Sequence, residues 1–298
     1  MKLKKLPIWA LALSILAGSG CVSDDYNYTK DDAYGTLSFA LAADNQMSVG
    51  EITRAEGDNT LTIAEALGGT TPFDATTFLS NKGGDFSIVI KDSKDNEKYN
   101  GPLKDWNTET PLALGNYTVE ATYDQQQIGF YGEEDGGEPT FESETISFTI
   151  ANADAPTEVA IPVTLSNSIL RVRYTDMFKN YYSNCVTEVT QTDKTVTFNY
   201  NETRGAFFDA ASAAIKYTLT PSQAQDNNAS AIEKTITQSL QAKTCHTLLF
   251  DVTNVGGVNT LTITIDDSTV TEIPIDDIDI NDDNYIDNNG SGDNGTDE

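Results

Sequence analysis

The sequence predicts an all-β protein made of two tandem antiparallel β-sandwich domains with few short helices. Hydrophobic and polar residues alternate with a period of two in many short segments from residue 35 onward. Such alternation is typical of strands with one buried and one solvated face. Helical periodicity is scarce by comparison, and many short strands at this spacing favour sandwiches.

Strands are predicted in both halves of the chain. In the first half the alternating segments are 37–41, 86–90, 117–123, 146–150 and 159–165. In the second half they are 170–174, 196–200, 248–252, 261–265 and 270–275. Asp266-Asp267-Ser268 separates the last two segments and predicts a closing hairpin. Alanine-rich residues 210–216 and 231–242 lack Pro and Gly and predict two short helices.

The domain boundary is predicted at a small-residue stretch with a proline, ANADAP at 151–156. It divides the chain into an N-terminal sandwich at 34–155 and a C-terminal sandwich at 156–275. The remaining residues, 276–298, contain nine acids and no Lys or Arg. Because this composition buries too little apolar surface to fold, we expect a disordered acidic tail.

Residues 1–20 have the three parts of an export signal: Lys2, Lys4 and Lys5, an apolar stretch over 6–17, and small residues at 18–20. The apolar stretch is too short for a transmembrane helix, which needs about 20 residues. Residues 17–21 (AGSGC) resemble the lipobox of lipoproteins, although Gly18 stands where Leu or Val is commoner. The resemblance implies lipid modification of Cys21 and a membrane anchor; the alternative is ordinary cleavage near Gly20.

Residues 21–33 are predicted to form an acidic flexible tether. Ser23, Asp24 and Asp25 resemble the acidic export tag that Bacteroidetes lipoproteins carry after the lipidated cysteine. The resemblance implies an outer-membrane lipoprotein exposed on the cell surface. The alternatives are a plain solvated linker and a periplasmic location.

The formal net charge of −28 excludes some partners. A surface this acidic repels nucleic acid and anionic lipid. Anionic glycans are poor candidates unless a local basic patch or a divalent cation intervenes. The sequence predicts no cofactor.

Cys185 and Cys245 remain after Cys21, and an oxidising envelope would permit a disulfide between them. They are equally compatible with two buried thiols, since spacing does not show whether their Cα atoms approach. The single histidine, His246, follows Cys245 directly. Neighbours in a strand point to opposite faces, and no second histidine exists for a zinc site, so we predict a structural role for His246. With no phosphate loop and no serine-nucleophile elbow, we predict that the protein is not an enzyme.

The segment DINDDNYID at 279–287 resembles the start of a calcium loop. Oxygen ligands would come from Asp279, Asn281, Asp283 and Asp287. Asn284 replaces the usual glycine, Gly290 stands where a bidentate acid is expected, and no helix follows. A solvated acidic tail is the favoured interpretation.

Several segments resemble a family of Bacteroides lipoproteins catalogued as domain-of-unknown-function family 4493, over about residues 34–275. They are YGTLSF at 34–39, FSIVIKD at 86–92, PLALGNYTVEATY at 111–123 and SNSILRVRYTDMF at 166–178. The architecture is similar to that of fimbrillin-like adhesins, which pair two transthyretin-like β-sandwiches. In that setting Gly115 would relieve strain at a turn, and Tyr117 would start a buried strand.

The resemblance to fimbrillins gives Arg54 a possible role. Fimbrillins of this kind are matured by cleavage after an arginine in the early chain, which opens a groove for a neighbour's strand. Arg54, in GEITRAEGD, is the candidate cleavage site. An ordinary arginine in a surface loop is the favoured alternative.

These observations lead to a non-enzymatic cell-surface lipoprotein, an adhesin-like or fimbrillin-like binding or structural module. Its expected partners are the membrane, through the lipid, and other surface subunits. The alternative is a glycan-binding accessory lipoprotein of an outer-membrane nutrient uptake system, since sugar rings stack on exposed aromatics. Trp106, between Asp105 and Asn107, is the predicted glycan contact; the other aromatic candidates are Phe130, Tyr131, Tyr181 and Tyr182. A passive structural lipoprotein is a third interpretation.

Overall fold

The computed structural model describes residues 33–50, 60–70, 72–125, 127–134, 136–221, 232–255, 257–266 and 268–274. The fold of this part is all-β, as predicted. Up to residue 165 the strands are β1 (Tyr34–Gly35), β2 (Leu37–Asp44), β3 (Gln46–Val49), β4 (Thr60–Thr62), β5 (Ser87–Asp92), β6 (Glu97–Pro102), β7 (Leu112–Ala113), β8 (Gly115–Tyr123), β9 (Gly129–Phe130), β10 (Phe141–Glu142), β11 (Ile146–Ile150) and β12 (Thr157–Leu165).

Nine strands follow in the second half of the described chain. They are β13 (Ser168–Tyr174), β14 (Tyr182–Gln191), β15 (Lys194–Phe198), β16 (Gly205–Phe208), β17 (Ser212–Pro221), β18 (Ile232–Ser239), β19 (Thr244–Val255), β20 (Val258–Ile265) and β21 (Ser268–Pro274). The helices in the described residues are short: α1 (Ile63–Leu67), α2 (Ala75–Lys82) and α3 (Asp176–Tyr181), with 3-10 turns at Gly83–Asp85 and Leu103–Asp105.

Each helix begins at a side chain that caps it. Thr62 and Glu65 form a capping box at α1, and Asp74 accepts a hydrogen bond from the Thr77 amide at α2. Thr175 accepts one from the Phe178 amide at α3. These caps satisfy backbone donors that the first helical turn leaves unpaired.

The first unit is a seven-stranded sheet, here called the first sheet, in the order β2-β12-β10-β8-β5-β6, with β11 also paired to β8. Phe39 on β2 packs against Trp106, which follows β6 at the other end of this strand order. The two ends of the sheet therefore face each other across one core, and the sheet curls into a sandwich.

The second unit is a sandwich of two sheets. The central sheet has eight strands, in the order β21-β20-β19-β13-β16-β9 with β3 on β19 and β4 on β3. The outer sheet has the order β15-β14-β17-β18. Both contribute fully buried side chains to one core, where Phe250 of the central sheet meets Tyr217 of the outer sheet at a ring-centroid distance of 5.4 Å.

Most strand pairs are antiparallel, as predicted, but three in the described residues are parallel. These are β2 with β12, β13 with β19, and β3 with β19. Alternation of side chains is the same in both kinds of pairing, so the sequence pattern does not distinguish them.

The predicted boundary at residues 155 and 156 is wrong. β12 begins just after Pro156, yet it pairs with β2 and β10 inside the first sheet. The proline-containing stretch is thus a connection between two strands of one unit, and the chain enters the second unit at Ser166 and Asn167. The division is also incomplete, since β3, β4 and β9 from the first half pair within the central sheet.

The two predicted helices are also wrong where the structure describes them. Residues 212–221 form β17 and residues 232–239 form β18, paired with each other in the outer sheet. Ala213, Ile215, Tyr217 and Leu219 alternate into the second core. Burial of this face outweighs the helix propensity of alanine, which is the highest of any residue but differs from that of other ordinary residues by at most about 0.7 kcal/mol. The closing hairpin of β20 and β21, by contrast, is confirmed.

The central sheet is buried on both faces where β13, β16 and β19 run side by side. Ile169, Phe207 and Cys245 belong to the core of the first unit. Their neighbours Leu170 and Phe208 belong to the core of the second unit. One set of strands therefore closes both sandwiches.

We expect the two units to unfold together because they share these strands. Phe207→Ala and Phe208→Ala remove fully buried rings from opposite faces of β16. Each should lower the free energy of unfolding by about 3–5 kcal/mol. Calorimetry of both variants should show one transition that shifts as a whole. Two transitions, with each variant shifting only one, would contradict a shared sheet.

Candidate functional site at the N-terminal edge strand

Strand β2 lies at one end of the first sheet, and among the described strands it pairs with β12 alone. The pairing is parallel and runs from Leu37 opposite Thr157 to Asp44 opposite Thr164. An edge strand leaves one row of backbone donors and acceptors outside the ladder. β2 is thus held on one side by backbone hydrogen bonds and elsewhere by its side chains.

The apolar side chains of β2 cover an aromatic groove. Leu37 is fully buried, whereas Phe39 is half-buried. The Phe39 ring packs edge-on against Trp106 at a centroid distance of 5.9 Å and against Phe148 at 6.5 Å. Aromatic rings from three different segments of the chain therefore pack together where β2 lies.

Trp106 is not the exposed platform that its polar sequence neighbours suggested. Its side chain is 8% exposed, and its indole Nε1 donates a hydrogen bond of 3.0 Å to the Leu37 carbonyl oxygen. The Tyr99 ring packs against its other side at 5.1 Å. A tryptophan is readily buried when its single N–H finds an acceptor, and here the acceptor is the β2 backbone.

The other aromatic candidates are also taken into the cores. Phe130, Tyr181 and Tyr182 are buried, and Tyr131 is half-buried against Phe73 at 5.3 Å. None offers the open ring face that a sugar platform requires.

After β2 the chain crosses directly to the central sheet. The Asp44 carboxylate forms an ion pair with Lys243, 199 residues away in sequence. The Ser48 amide donates to the Lys243 carbonyl oxygen at 2.9 Å, and the Met47 side chain is fully buried. The N-terminal segment is therefore packed into both units.

Two glycines of the family-like motifs have clear structural reasons. A Cβ at Gly35 would lie 2.5 Å from Ile150 Cγ2, so only glycine permits the approach of β1. Gly115 has φ +152° at the start of β8. Tyr117 is buried two residues later, with its hydroxyl donating to the Ala113 carbonyl oxygen at 2.8 Å. The predicted roles of Gly115 and Tyr117 are confirmed.

Cys185 and Cys245 are free thiols, so the disulfide alternative is wrong and the buried-thiol alternative is confirmed. They lie in different cores, Cys245 in the first and Cys185 in the second. Burial raises the pKa of Cys185 to about 11 and raises that of Cys245 as well. Both thiols are consequently protonated at neutral pH and unreactive.

His246 is a structural residue with both ring nitrogens engaged. The Gln241 amide donates to Nε2 at 2.9 Å, so the ring proton lies on Nδ1 and is donated to the Asp266 carboxylate. Asp266 also accepts from the Thr247 amide at 2.9 Å. With a side chain only 3% exposed, His246 joins the loop before β19 to the hairpin turn before β21.

Several predicted residues lie outside the described residues. They are the lipidation residue Cys21, the tag residues Ser23, Asp24 and Asp25, the cleavage candidate Arg54, and the calcium candidates Asp279, Asn281, Asp283 and Asp287. Arg54 falls between β3 and β4 in sequence. Within the described ranges no cluster of three or more His, Cys, Asp or Glu side chains could hold a metal ion. No helix there is long and apolar enough to cross a membrane.

The sequence did not reveal the polar residues that join the two units. Besides Asp44 and Lys243, buried Asn167 accepts from the Thr140 amide at 3.3 Å and donates to the Glu138 carbonyl oxygen at 3.2 Å. These contacts connect residues that are far apart in the chain, and single polar residues at strand ends carry no periodic signal.

Residues 33–282 match the family described as Domain of unknown function (DUF4493). The chain belongs to this family. As a DUF4493 protein it resembles several solved structures. A candidate cell adhesion protein from Bacteroides fragilis is 11% identical, with 77% of this chain and 97% of that chain covered and a TM-score of 0.35.

Two further structures are similar to this DUF4493 chain. A candidate adhesin from Bacteroides thetaiotaomicron is 12% identical, with 80% of this chain and 97% of that chain covered and a TM-score of 0.35. A fimbrial assembly protein from Parabacteroides distasonis is 7% identical, with 64% and 90% covered and a TM-score of 0.32. None of the curated proteins matches the sequence.

We expect Cys185 and Cys245 to resist alkylation in the folded protein. A chain that begins at Val22 should gain no iodoacetamide adducts at neutral pH and two after unfolding in guanidinium, because only unfolding exposes the thiols. Intact-mass measurement counts the adducts. A mass two hydrogens lower without reductant, and no adducts after unfolding, would contradict the assignment.

We expect His246→Ala to lower the free energy of unfolding by about 1–3 kcal/mol, because it leaves the Gln241 amide and Asp266 without their partner. Asp266→Asn is the matched control. Asparagine tolerates the positive φ of +49° at this position and can still accept from the Thr247 amide, so its cost should be smaller. Urea titration compares the two variants, and an unchanged midpoint for His246→Ala would refute the bridging role.

Proposed function

We propose that the protein is a non-enzymatic cell-surface lipoprotein, anchored through Cys21 in the outer membrane, that acts as an adhesin-like or fimbrillin-like module. Its interaction element is β2, which can be replaced by a strand of another subunit. The observation that carries this proposal is the placement of β2 at a sheet edge, over an aromatic groove and with one strand partner.

Strand exchange follows from this geometry. Removal of β2 would leave the β12 edge unpaired and would uncover Trp106 and Phe148. An incoming strand with apolar side chains at alternate positions would restore both the ladder and the packing, which is the β-augmentation mode of recognition. Because Leu37 and Met47 are fully buried, cleavage of the chain alone would not release the segment. An incoming strand must displace it.

The state of the titratable residues supports a non-enzymatic role. Both nitrogens of the single histidine are occupied, and both described cysteines are buried and protonated. The glycan-binding alternative has lost its residue basis, because Trp106 serves the β2 groove. Strand-mediated assembly is thus favoured over glycan recognition.

The cleavage step is tested with Arg54→Ala. In cells that process the chain, cleavage should separate the wild-type protein from the lipidated precursor segment that begins at Cys21, so that the mature chain begins at Ala55 and forms a ladder of multimers in mildly heated outer membranes. The variant should keep its precursor size and lose the ladder. Arg54→Lys keeps the charge and separates an arginine-specific cut from a general basic one, and Arg204→Ala controls for loss of an arginine elsewhere. Unchanged size and unchanged multimers for Arg54→Ala would refute maturation at this residue.

The exchange step is tested independently by locking β2 to β12. Ser38 and Glu158 are opposite each other in the parallel pair, so Ser38→Cys with Glu158→Cys places two cysteines at bridging distance. Multimers should be absent when the pair is oxidised and should return on reduction, while each single cysteine variant assembles normally. Multimers formed by the oxidised double variant would exclude exchange of β2.

The location is tested by protease shaving of intact cells followed by immunoblotting. A surface module should be digested in intact cells, and a periplasmic control protein should survive. Resistance of the protein in intact cells, with digestion after lysis, would place it in the periplasm and overturn the adhesin-like proposal.

A further inference from the structure

Two arginines stand side by side on one face of the central sheet. Arg171 and Arg173 alternate along β13 with Leu170 and Val172, whose side chains enter the second core. The arginines therefore lie on the opposite face, and both are partly exposed. Such a pair is unexpected in a chain with a formal net charge of −28.

Neither arginine has an ion-pair partner among the described residues. Arg171 Nε donates to Thr247 Oγ1 at 2.8 Å, and Arg173 Nη1 donates to the Val172 carbonyl oxygen at 2.9 Å. The nearby Glu202 carboxylate is already held by Arg204, with Nε to Oε1 at 2.9 Å and Nη2 to Oε2 at 2.8 Å. Arg204 also pairs with Glu133.

The rest of this sheet face supplies no free carboxylate near the pair. Arg173 lies opposite Leu249, Leu249 opposite Thr264, and Thr264 opposite Thr269, so one row crosses from β13 to β21. The two acids nearest the pair are both engaged: Asp266 accepts from the His246 ring and the Thr247 amide, and Asp251, two residues along β19 from Leu249, accepts from the Thr175 hydroxyl and the Val252 amide. The exposed Glu272 of the same face lies on β21, three strands away from β13.

The partly buried position of Arg173 and its closeness to Arg171 both disfavour its charged form. Burial, and secondarily the charge of Arg171, lower the pKa of Arg173. A bound anion would offset both effects, since an opposite charge favours the ionised form. Guanidinium groups also bind carboxylates with well-directed, charge-assisted hydrogen bonds.

The charge of the molecule decides which anion can reach this face. An external polyanion must approach a chain that repels it. The chain's own residues 276–283 contain five acids and no Lys or Arg, and they follow directly after β21 at the edge of the same sheet. Covalent attachment gives them an effective concentration on the order of millimolar, which no free ligand of like charge matches.

The segment is long enough to reach the arginines. Pro274, at the end of β21, is opposite Thr260, which is opposite Thr253, four residues along β19 from Leu249. With about 3.3 Å per residue along a strand and about 4.8 Å between strands, Pro274 and Arg173 are on the order of 20 Å apart. About six extended residues span that distance. Asp282 and Asp283 therefore come within reach of Arg173.

We propose that the acidic residues 276–283 of this chain dock on the face of the central sheet that carries Arg171 and Arg173, with their carboxylates on these two partly exposed arginines. The alternation of Ile278 and Ile280 with Asp277 and Asp279 gives the segment an apolar side for Leu249, and its length places Asp282 and Asp283 at the arginines. The docking would shield this arginine pair and bring the tail back across the sheet.

The first test is limited proteolysis of the full chain with an endoproteinase that cleaves before aspartate. Cleavage within residues 276–283 should be about tenfold faster in Arg171→Gln/Arg173→Gln than in the wild type. The matched control is Lys216→Gln/Lys234→Gln, which removes the same charge from the outer sheet and should leave the rate unchanged. Equal rates in the wild type and both variants would overturn the proposal.

A second test does not depend on folding of the arginine variant. A fluorescent peptide of residues 275–298 is titrated into the chain that ends at Ile275, which retains every described residue. Binding should be saturable and should be lost at about 1 M NaCl, where the screening length falls to about 3 Å. The full chain should bind the peptide at least about tenfold more weakly, because its own segment occupies the face.

Each other outcome of the titration is also decisive. No binding to the shortened chain would overturn the proposal. Equal binding to the full and shortened chains, with the full chain sedimenting as a dimer or larger species, would assign the face to the segment of a second copy and overturn docking within one chain.

Discussion

The structure depends on the burial of both faces of the central sheet where β13, β16 and β19 meet. Neighbouring residues on each strand enter different cores, as Ile169 and Leu170 do on β13 and Phe207 and Phe208 do on β16. Burying an aromatic or aliphatic side chain contributes about 1.5–3 kcal/mol, and here the same backbone ladder serves both cores. A change in the strand register would thus disrupt the packing of both units at once.

The N-terminal segment combines two constraints that favour different outcomes. Its buried side chains, its ion pair between Asp44 and Lys243, and the Trp106 hydrogen bond to Leu37 hold it in place. Its position at a sheet edge, in a parallel pair with β12, leaves its other backbone edge outside the ladder of the described strands. The proposed function uses this combination, since a replaceable strand must also be well enough packed to protect the groove beforehand.

Features that depend on residues close together in the sequence were predictable, whereas features that depend on contacts between distant residues were not. The strands and the closing hairpin were predicted because alternation and turn residues are local signals. Residues 212–221 and 232–239 were misassigned as helices because alanine favours helices locally, whereas their strand character comes from pairing with each other. Trp106 was misplaced because its polar neighbours are local, whereas its hydrogen-bond acceptor is 69 residues away. The sequence therefore predicted the strands that build the candidate site, but it did not predict the aromatic groove that β2 covers.

The sequence by itself determined the all-β class, the alternating core faces, the acidic charge and the family to which residues 33–282 belong. These properties depend on composition and on patterns within about ten residues. Only the tertiary structure decided that β12 belongs to the first unit, that two cysteines lie in separate cores, and that two partly exposed arginines lie without an ion-pair partner among the described residues. Strand order, parallel pairing and contacts between distant residues decide these points, because alternation specifies which face of a strand is buried but not which strand lies beside it.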